Sequence, residues 1–551
     1  MAKVFLRKEM SIGNVSAEED DEFLYNCFFD HSAKSIATDK KNSKCFLLGN
    51  TGIGKTAIIS KIRQENENAN IISLSDLSMG YISNSTAIKF IKEIDVPLDY
   101  FFQALWRHII VIEYIRISFD VTSTEKSQNA FSRILEKFRN NEPRRRALEY
   151  LEKWSDKFWV TFDENIREIE LNLEREVSLL AGAEYQKFKT DVGYKNKLSE
   201  LRKTHLQSRL QTVVDASLLS ELGKVQDALS DYAKDNQQKF VYILIDGLDE
   251  NWVGIDTKYK LIKALIEAVK SLRKVQNLKI ISAMRVDLLE KVIQETRHDG
   301  FQSEKYKDYF VEIRWKGAEL RKLLDTRVNY MYRNKYSSEN VFLRDVFPNK
   351  INKKDPFDFL SERTLLRPRD AISFINHCFF EASENPPISV KEVQRAERNY
   401  SEERRRALVE EWAGVYPGLE VLLSSLVHRR ASFPLADLLT AEYIDMIAVE
   451  LLCNDRYARD PLCRGMKNAY EESQFTNENK ILEQVVEVCL VLHLVGAIGL
   501  NTAPHEPMHW FYKEGHQIPK AHITKNSKIR IHPMLHSSLG INTGEKVRDY
   551  A

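Results

Sequence analysis

The chain has 551 residues, 43% apolar and 29% charged, the profile of an ordinary globular protein with room for two to four structural units. Lys plus Arg, 81, nearly equals Asp plus Glu, 80, which excludes a whole-chain basic footprint for nucleic acid and leaves only local basic faces open. The six cysteines (Cys27, Cys45, Cys378, Cys453, Cys463, Cys489) form no CxxC pair, so a disulfide framework and a zinc finger are not expected.

Residues 1–40 read as an N-terminal element whose "SAEEDDEF" is acidic where a signal peptide would be apolar. The most apolar runs, "ALWRHIIVIEYIRISF" and "CLVLHLVGAIGL", are broken by charges or too short to cross a bilayer. A cytoplasmic protein with no membrane contact is expected.

Residues 41–120 open with "KCFLLGNTGIGKTAIISKI". Its spacing predicts a strand from Cys45 to Leu48, a glycine-bearing loop, and a helix burying Ala57, Ile58, Ile59 and Ile62. Gly49, Asn50, Thr51, Gly52, Ile53, Gly54, Lys55 and Thr56 fit G-x-x-x-x-G-K-[ST] in full. Glycines let successive N–H groups turn inward around a phosphate, and the following helix N-terminus adds partial positive charge. Lys55 can reach the β- and γ-phosphates, and Thr56 can offer its hydroxyl to Mg²⁺. A P-loop for a nucleoside triphosphate is the expectation. A second strand, Asn70 to Ser75, and a helix from Leu98 to Arg116 follow.

Residues 121–238 change character: rich in Glu, Lys, Leu and Arg, nearly free of Gly and Pro, and spaced for helices with one apolar stripe. Ile166, Ile169, Leu173, Val177 and Leu180, for example, fall three or four apart. We read a coiled-coil-like helical insertion between core strands. Arg144, Arg145 and Arg146 within it either touch nucleic acid or a partner, or form a solvated helix face.

Residues 239–315 return to the core. Phe240 to Ile245 is a continuous apolar run expected as a buried strand beside the Cys45–Leu48 strand. It runs into Asp246, Asp249 and Glu250. Asp246 would hold the metal's water shell, and Glu250 or Asp249 would activate the attacking water, with Glu250 preferred. A helix from Thr257 to Lys274 leads to a strand from Leu278 to Ala283 that ends at Met284 and Arg285, and a fifth strand spans Tyr309 to Trp315.

Residues 316–400 read as a helical lid. Its "FLSERTLLRPRDAISFINHCFF" places Pro368 at a helix start, with Arg363, Arg367 and Arg369 clustered before and after it. These arginines either approach phosphate or form a cap network with acids. Residues 401–551 read as helices followed by a two-stranded wing. Seven of the thirteen histidines lie between His493 and His536; ordinary histidines are favoured over a zinc site built from His505/His509 and His532/His536.

Taken together, "GNTGIGKT", "ILIDGLDE", the strand ending in "AMR" and "LLRPRDAISFIN" resemble the STAND/AAA-like group of additional-strand P-loop ATPases, in particular bacterial ATPases of anti-phage defence. The likeness covers roughly residues 20–390 without the insertion. It departs from the adjacent Asp-Glu pair of AAA+ enzymes because Gly247 follows Asp246. The resemblance implies an α/β fold: a P-loop NTPase parallel sheet with a helical insertion, a helical lid and a C-terminal helical, winged-helix domain. It implies ATP rather than GTP, a homo-oligomer, and nucleotide sensing by Arg285, Arg367 or Arg369, although Arg285 could instead pair with Asp287. The expected function is a Mg²⁺-dependent ATPase acting as a switch or assembling motor with a separate effector protein. The alternatives are an ATP-gated nucleic-acid-binding regulator and a weakly hydrolysing scaffold.

Overall fold

Five short apolar segments pair side by side in one parallel sheet: β1 (Phe46–Leu48), β2 (Ala69–Ile72), β3 (Val241–Ile245), β4 (Leu278–Met284) and β5 (Phe310–Glu312). The computed structural model describes residues 4–77, 99–121, 141–155, 219–296, 303–335, 339–471 and 478–543, apart from 8, 251 and 385, together with isolated positions between 164 and 171. The chain divides into two units, Met1–Phe29 with Thr51–Gly54 and Arg314–Ala551, and Asp30–Asn50 with Lys55–Ile313.

In the second of these, the sheet order is β2-β3-β4-β1-β5. Every residue of β3 is buried, as a strand covered on both faces requires. The expected neighbour relation of β1 and β3 is corrected: β4 lies between them, so their axes are about 10 Å apart. Two further strands are shorter than the sequence suggests. β2 stops at Ile72, because Leu74–Leu77 forms one helical turn, and β5 covers only Phe310–Glu312 after a 3₁₀ segment, Ser303–Tyr309.

The helix Asp99–Phe119, which outlasts its expected end at Arg116, packs along the helix Ile255–Leu272, and Trp106 Nε1 donates to Leu261 O at 2.8 Å. The ends of the expected insertion are not set apart from the sheet. Helices Glu142–Trp154 and Ser220–Asp235 share one apolar core with the strands, burying Leu148, Leu151, Leu222 and Leu229. Ile166, Ile169, Leu173, Val177 and Leu180 lie outside the described residues. Arg145 and Arg146 pair with Glu149 and Glu142 one turn away, at 3.1 and 2.5 Å, a solvated face; Arg144 lies instead over the rings of Phe119 and Tyr232.

The other unit is mostly helical. Gly317–Lys335, Pro368–Glu381 and Val390–Trp412 share a core in which Phe374 and Tyr400 stack at 4.4 Å. Ser389 and Glu392 form a capping box that starts Val390–Trp412. That helix runs without a break through residue 400, where the sequence divides lid from C-terminal domain. Three strands rather than a two-stranded wing follow: β6 (Ser432–Pro434), β7 (Ile498–Asn501) and β8 (Lys528–Ile531), antiparallel in the order β6-β8-β7. Among the described residues no helix is long and apolar enough to cross a membrane.

Leu229 is 1% exposed within the sheet unit's core. Leu229→Ala is expected to lower unfolding free energy by about 2–5 kcal/mol in urea titration. A change near zero would mean that Ser220–Asp235 is an independent arm.

Candidate functional site

Parallel pairing brings the carboxyl ends of β1, β3 and β4 to one edge, and the sequence places its chemically suggestive residues there. After β1, Gly49 N–H donates to Met284 O of β4 at 3.2 Å, which anchors the start of the glycine-rich loop. Gly52 and Gly54 have φ of +76° and +100°, a backbone region that favours glycine. The helix Lys55–Glu65 starts directly after them, and Ile58, Ile59 and Ile62 hold it on the sheet, with Ala57 only half-buried. Lys55 Nζ donates to Gly49 O at 2.9 Å and Asn50 O at 3.0 Å, so its ammonium arches back over the loop.

The loop tip, Thr51–Gly54, groups with the helical unit. Gly52 O accepts from the Arg369 N–H at 3.3 Å and Ile53 O from Trp315 Nε1 at 2.9 Å, while Thr51 N–H donates to Glu411 Oε1 at 3.4 Å. A Cβ at Gly52 would stand 2.8 Å from Arg369 Cβ, a second reason for glycine.

After β3 comes a tight acidic turn. Gly247 adopts φ +75°; its N–H donates to Asp246 Oδ1 at 2.9 Å, and Glu250 N–H donates to Gly247 O at 3.0 Å. The Glu250 carboxylate folds over Gly247, where a Cβ would lie 2.8 Å from Oε1. That explains why the residue after Asp246 is a glycine. Asp249 and Glu250 are exposed and Asp246 is half-buried. Sequence reasoning missed Lys258, because nothing in the helix spacing marks it. Its buried ammonium donates to Asp249 O at 3.1 Å and Glu250 O at 3.0 Å, and burial pushes its pKa below the usual lysine value against the pull of Asp249.

Arg285, following β4, makes the pairing that the sequence offers as the alternative to sensing. Its Nε and Nη2 donate to the two Asp287 oxygens at 2.9 Å each, and its Nη1 also stands 3.7 Å from Asp249 Oδ2. Thus Arg285 is both a helix-start partner and a neighbour of the acidic turn. Among the described residues no cluster of three or more His, Cys, Asp or Glu could hold a metal. A divalent ion beside Asp246 would draw the rest of its shell from water and phosphate oxygens, as Mg²⁺ commonly does.

Of the three lid arginines, two sit in acid networks. Arg363 pairs with Glu397 at 2.5 Å and lies over the Phe359 ring, and Arg367 pairs with Glu411 at 2.8 Å. Arg369 is different: its Nε donates to Val15 O at 3.2 Å and its backbone holds Gly52.

The C-terminal histidines form contacts that sequence spacing does not suggest. His493 Nε2 meets His509 Nδ1 at 3.0 Å, and His509 Nε2 meets His516 Nε2 at 3.3 Å. His532 meets Tyr512 at 3.2 Å and His536 meets Ile531 O at 3.1 Å. Burial holds His493 and His536 down to about 4, with His509 adding to the effect on His493.

Residues 318–409 match the family described as the FunZ-associated C-terminal helical domain. That stretch contains Arg363, Arg367 and Arg369 and stops two residues short of Glu411. Over 548 residues, 97% of this chain and 68% of the relative, the chain is 21% identical to the putative transposon gamma-delta 80.3 kDa protein of Escherichia coli (strain K12). No solved structure matches.

Two outcomes follow from these contacts. Arg367 and Glu411 side chains are only 5% and 9% exposed, so Glu411→Ala strands a buried guanidinium and should cost about 3–5 kcal/mol of unfolding free energy. Adding Arg367→Met should recover much of it, whereas equal single and double mutants would refute a buried pair. The folded pKa of His493, about 4, lies below its unfolded 6.5, so its contribution is complete above pH 6.5 and is lost as pH falls toward 4. That loss is up to about 3 kcal/mol. Urea titrations across this window should show a shallower fall for His493→Gln; parallel slopes would contradict it.

Proposed function

We propose that this chain is a Mg²⁺-dependent ATPase of the additional-strand P-loop type, working as a nucleotide-driven switch or assembling motor. One observation carries the reading: the glycine-rich loop after β1, the acid after β3 and the arginine after β4 all leave the same edge of one parallel sheet, with β4 inserted between the other two strands. Ligands of open parallel sheets bind at such an edge.

In this reading the backbone N–H groups of Gly49–Thr56 wrap the phosphates, and Lys55 exchanges the Gly49 and Asn50 carbonyls for phosphate oxygens. The Thr56 hydroxyl and Asp246 hold Mg²⁺, which neutralises phosphate charge when bound. Glu250 takes the proton from the attacking water. Asp249 is directed toward Arg285 at 3.7 Å, which favours Glu250 for that task. Arg285 reports the state of the site, and Arg369 is the lid's candidate for the same role, because Arg367 is held by Glu411 at 2.8 Å.

The chain carries no nucleophile elbow or paired-carboxylate nuclease motif in its sequence, and its one H-E-x-x-H string, His505 to His509, contains Pro507 and lies in a turn rather than on the helix that a zinc protease needs, so a separate effector is proposed, together with self-assembly and a role in bacterial anti-phage defence. The relative's name ties that protein to a transposon, and carriage by mobile DNA is proposed for this chain as well. The nucleic-acid-regulator alternative is disfavoured by charge. The helix Glu478–Leu494, which leads into β7, carries Glu478, Glu483 and Glu487, and both Lys480 and Lys520 are paired to these acids. Such a face repels phosphates.

Purified protein is expected to release phosphate from ATP. Lys55→Ala should lose ATP binding, whereas Glu250→Gln should keep it and slow turnover by about 100-fold or more, within the range of general-base loss. ATP should also increase particle size in light scattering. ATP binding unchanged by Lys55→Ala, or turnover unchanged by Glu250→Gln, would overturn the assignment.

A further inference from the structure

The amino ends of the same strands form a second cleft, at the opposite edge of the sheet from the glycine-rich loop. Its walls are the turn Lys40–Cys45 that feeds β1 and the segment Val269–Ile280 that feeds β4. The cleft measures about 210 Å³, below the roughly 300–1,000 Å³ of drug-sized pockets. The seven residues of β4 separate the two edges by about 20 Å.

Three cations line it and no carboxylate does: Lys40, Arg273 and Lys279, with Asn42, Ser43 and Gln276 as neutral polar groups. None of the three cations is ion-paired among the described residues. Lys40 lies over the Phe240 ring at 4.4 Å, and Arg273 donates to the Tyr309 hydroxyl at 3.3 Å. Lys279 is 6% exposed and donates to Asp39 O and Asn42 O at 2.9 and 2.6 Å, which leaves its third N–H without a partner among the described residues. Asp39, whose charge acts on Lys279, accepts from the Lys41 N–H at 2.9 Å and does not line the cleft. Burial holds Lys279 below the usual lysine value, and Arg273 adds to that shift. Like charges gathered in a concave, partly desolvated place focus a positive field and favour an anion.

We propose that this cleft binds a small free phosphomonoester, with Lys279 at its base and Arg273 and Lys40 at its rim. Arg273 supplies the planar fork that suits phosphate oxygens, and Lys279 supplies the fixed charge. The site is independent of the ATPase reading, because it uses none of the residues assigned there.

The test is calorimetric titration of the full chain with inorganic phosphate in a Lys55→Ala background, which removes the glycine-rich loop as a competing site. One saturable site is expected. Arg273→Ala, at an exposed position, should weaken it at least tenfold without moving the thermal midpoint measured in the absence of phosphate, and Lys40→Ala should weaken it less. No saturable heat in the Lys55→Ala chain, or an unchanged titration in the Arg273→Ala chain, would overturn the proposal. So would Arg273-dependent binding of a short oligonucleotide that inorganic phosphate does not displace, since the cleft would then serve a phosphodiester. Loss of ATP turnover in the parent chain with phosphate titration intact would strike the ATPase reading alone.

Discussion

The pairing of β4 with two partners at once is the constraint on which the sheet's edge depends. Ser282 stands opposite Phe46 on one side and Ile245 on the other. That double register fixes β1 and β3 at the same level although they do not pair with each other, and so brings Gly49, Asp246 and Arg285 to one rim. A slip of one residue on either side of β4 would turn its side chains to the other face and stagger the three. The buried, wholly apolar β3 and the nearly wholly buried β4 make such a slip costly, because every register but one exposes or crowds core side chains.

Much of this was legible in the sequence, for physical reasons that can be named. The β3 run of Val241 to Ile245 and the inner row of Leu261, Ile262, Leu265, Ile266, Val269 and Leu272 are long and consistent in period, and both occur where expected. The Gly49–Thr56 motif needs a strand before it and a helix after it, and it has both. What could not be read was lateral order. Strand patterns state which faces are buried and not which strand lies next to which, so the sequence alone does not show that β4 separates β3 from β1. Packing partners of charged side chains were equally hidden. The spacing of Arg363 and Arg367 suggested phosphate or acid, and only the arrival of Glu397 and Glu411 from a helix more than thirty residues away decides for acid.

The expected insertion shows what composition leaves unsaid about packing. A run rich in Glu, Lys and Leu looks autonomous because its polar face is so well solvated. Yet Leu148, Leu151, Leu222 and Leu229 are buried with the strands, and Trp106 and Arg107 of Asp99–Phe119 reach toward their neighbours through hydrogen bonds to Leu261 O and Gln226. At 400, likewise, a change of pattern in the sequence falls inside one continuous helix. Amphipathic pattern reports that a face needs cover; it does not report whose core provides it.

Lys258 makes the acidic turn part of something larger. Its ammonium ties the Asp249 and Glu250 carbonyls to the first turn of Ile255–Leu272, and that helix is clasped along its length by Asp99–Phe119. The carboxylates are therefore mounted on an eighteen-residue lever rather than on a loose loop. A tilt of that lever about its far end would be delivered to them with little loss, and a push on them would be felt some 27 Å away, at the other end of the helix.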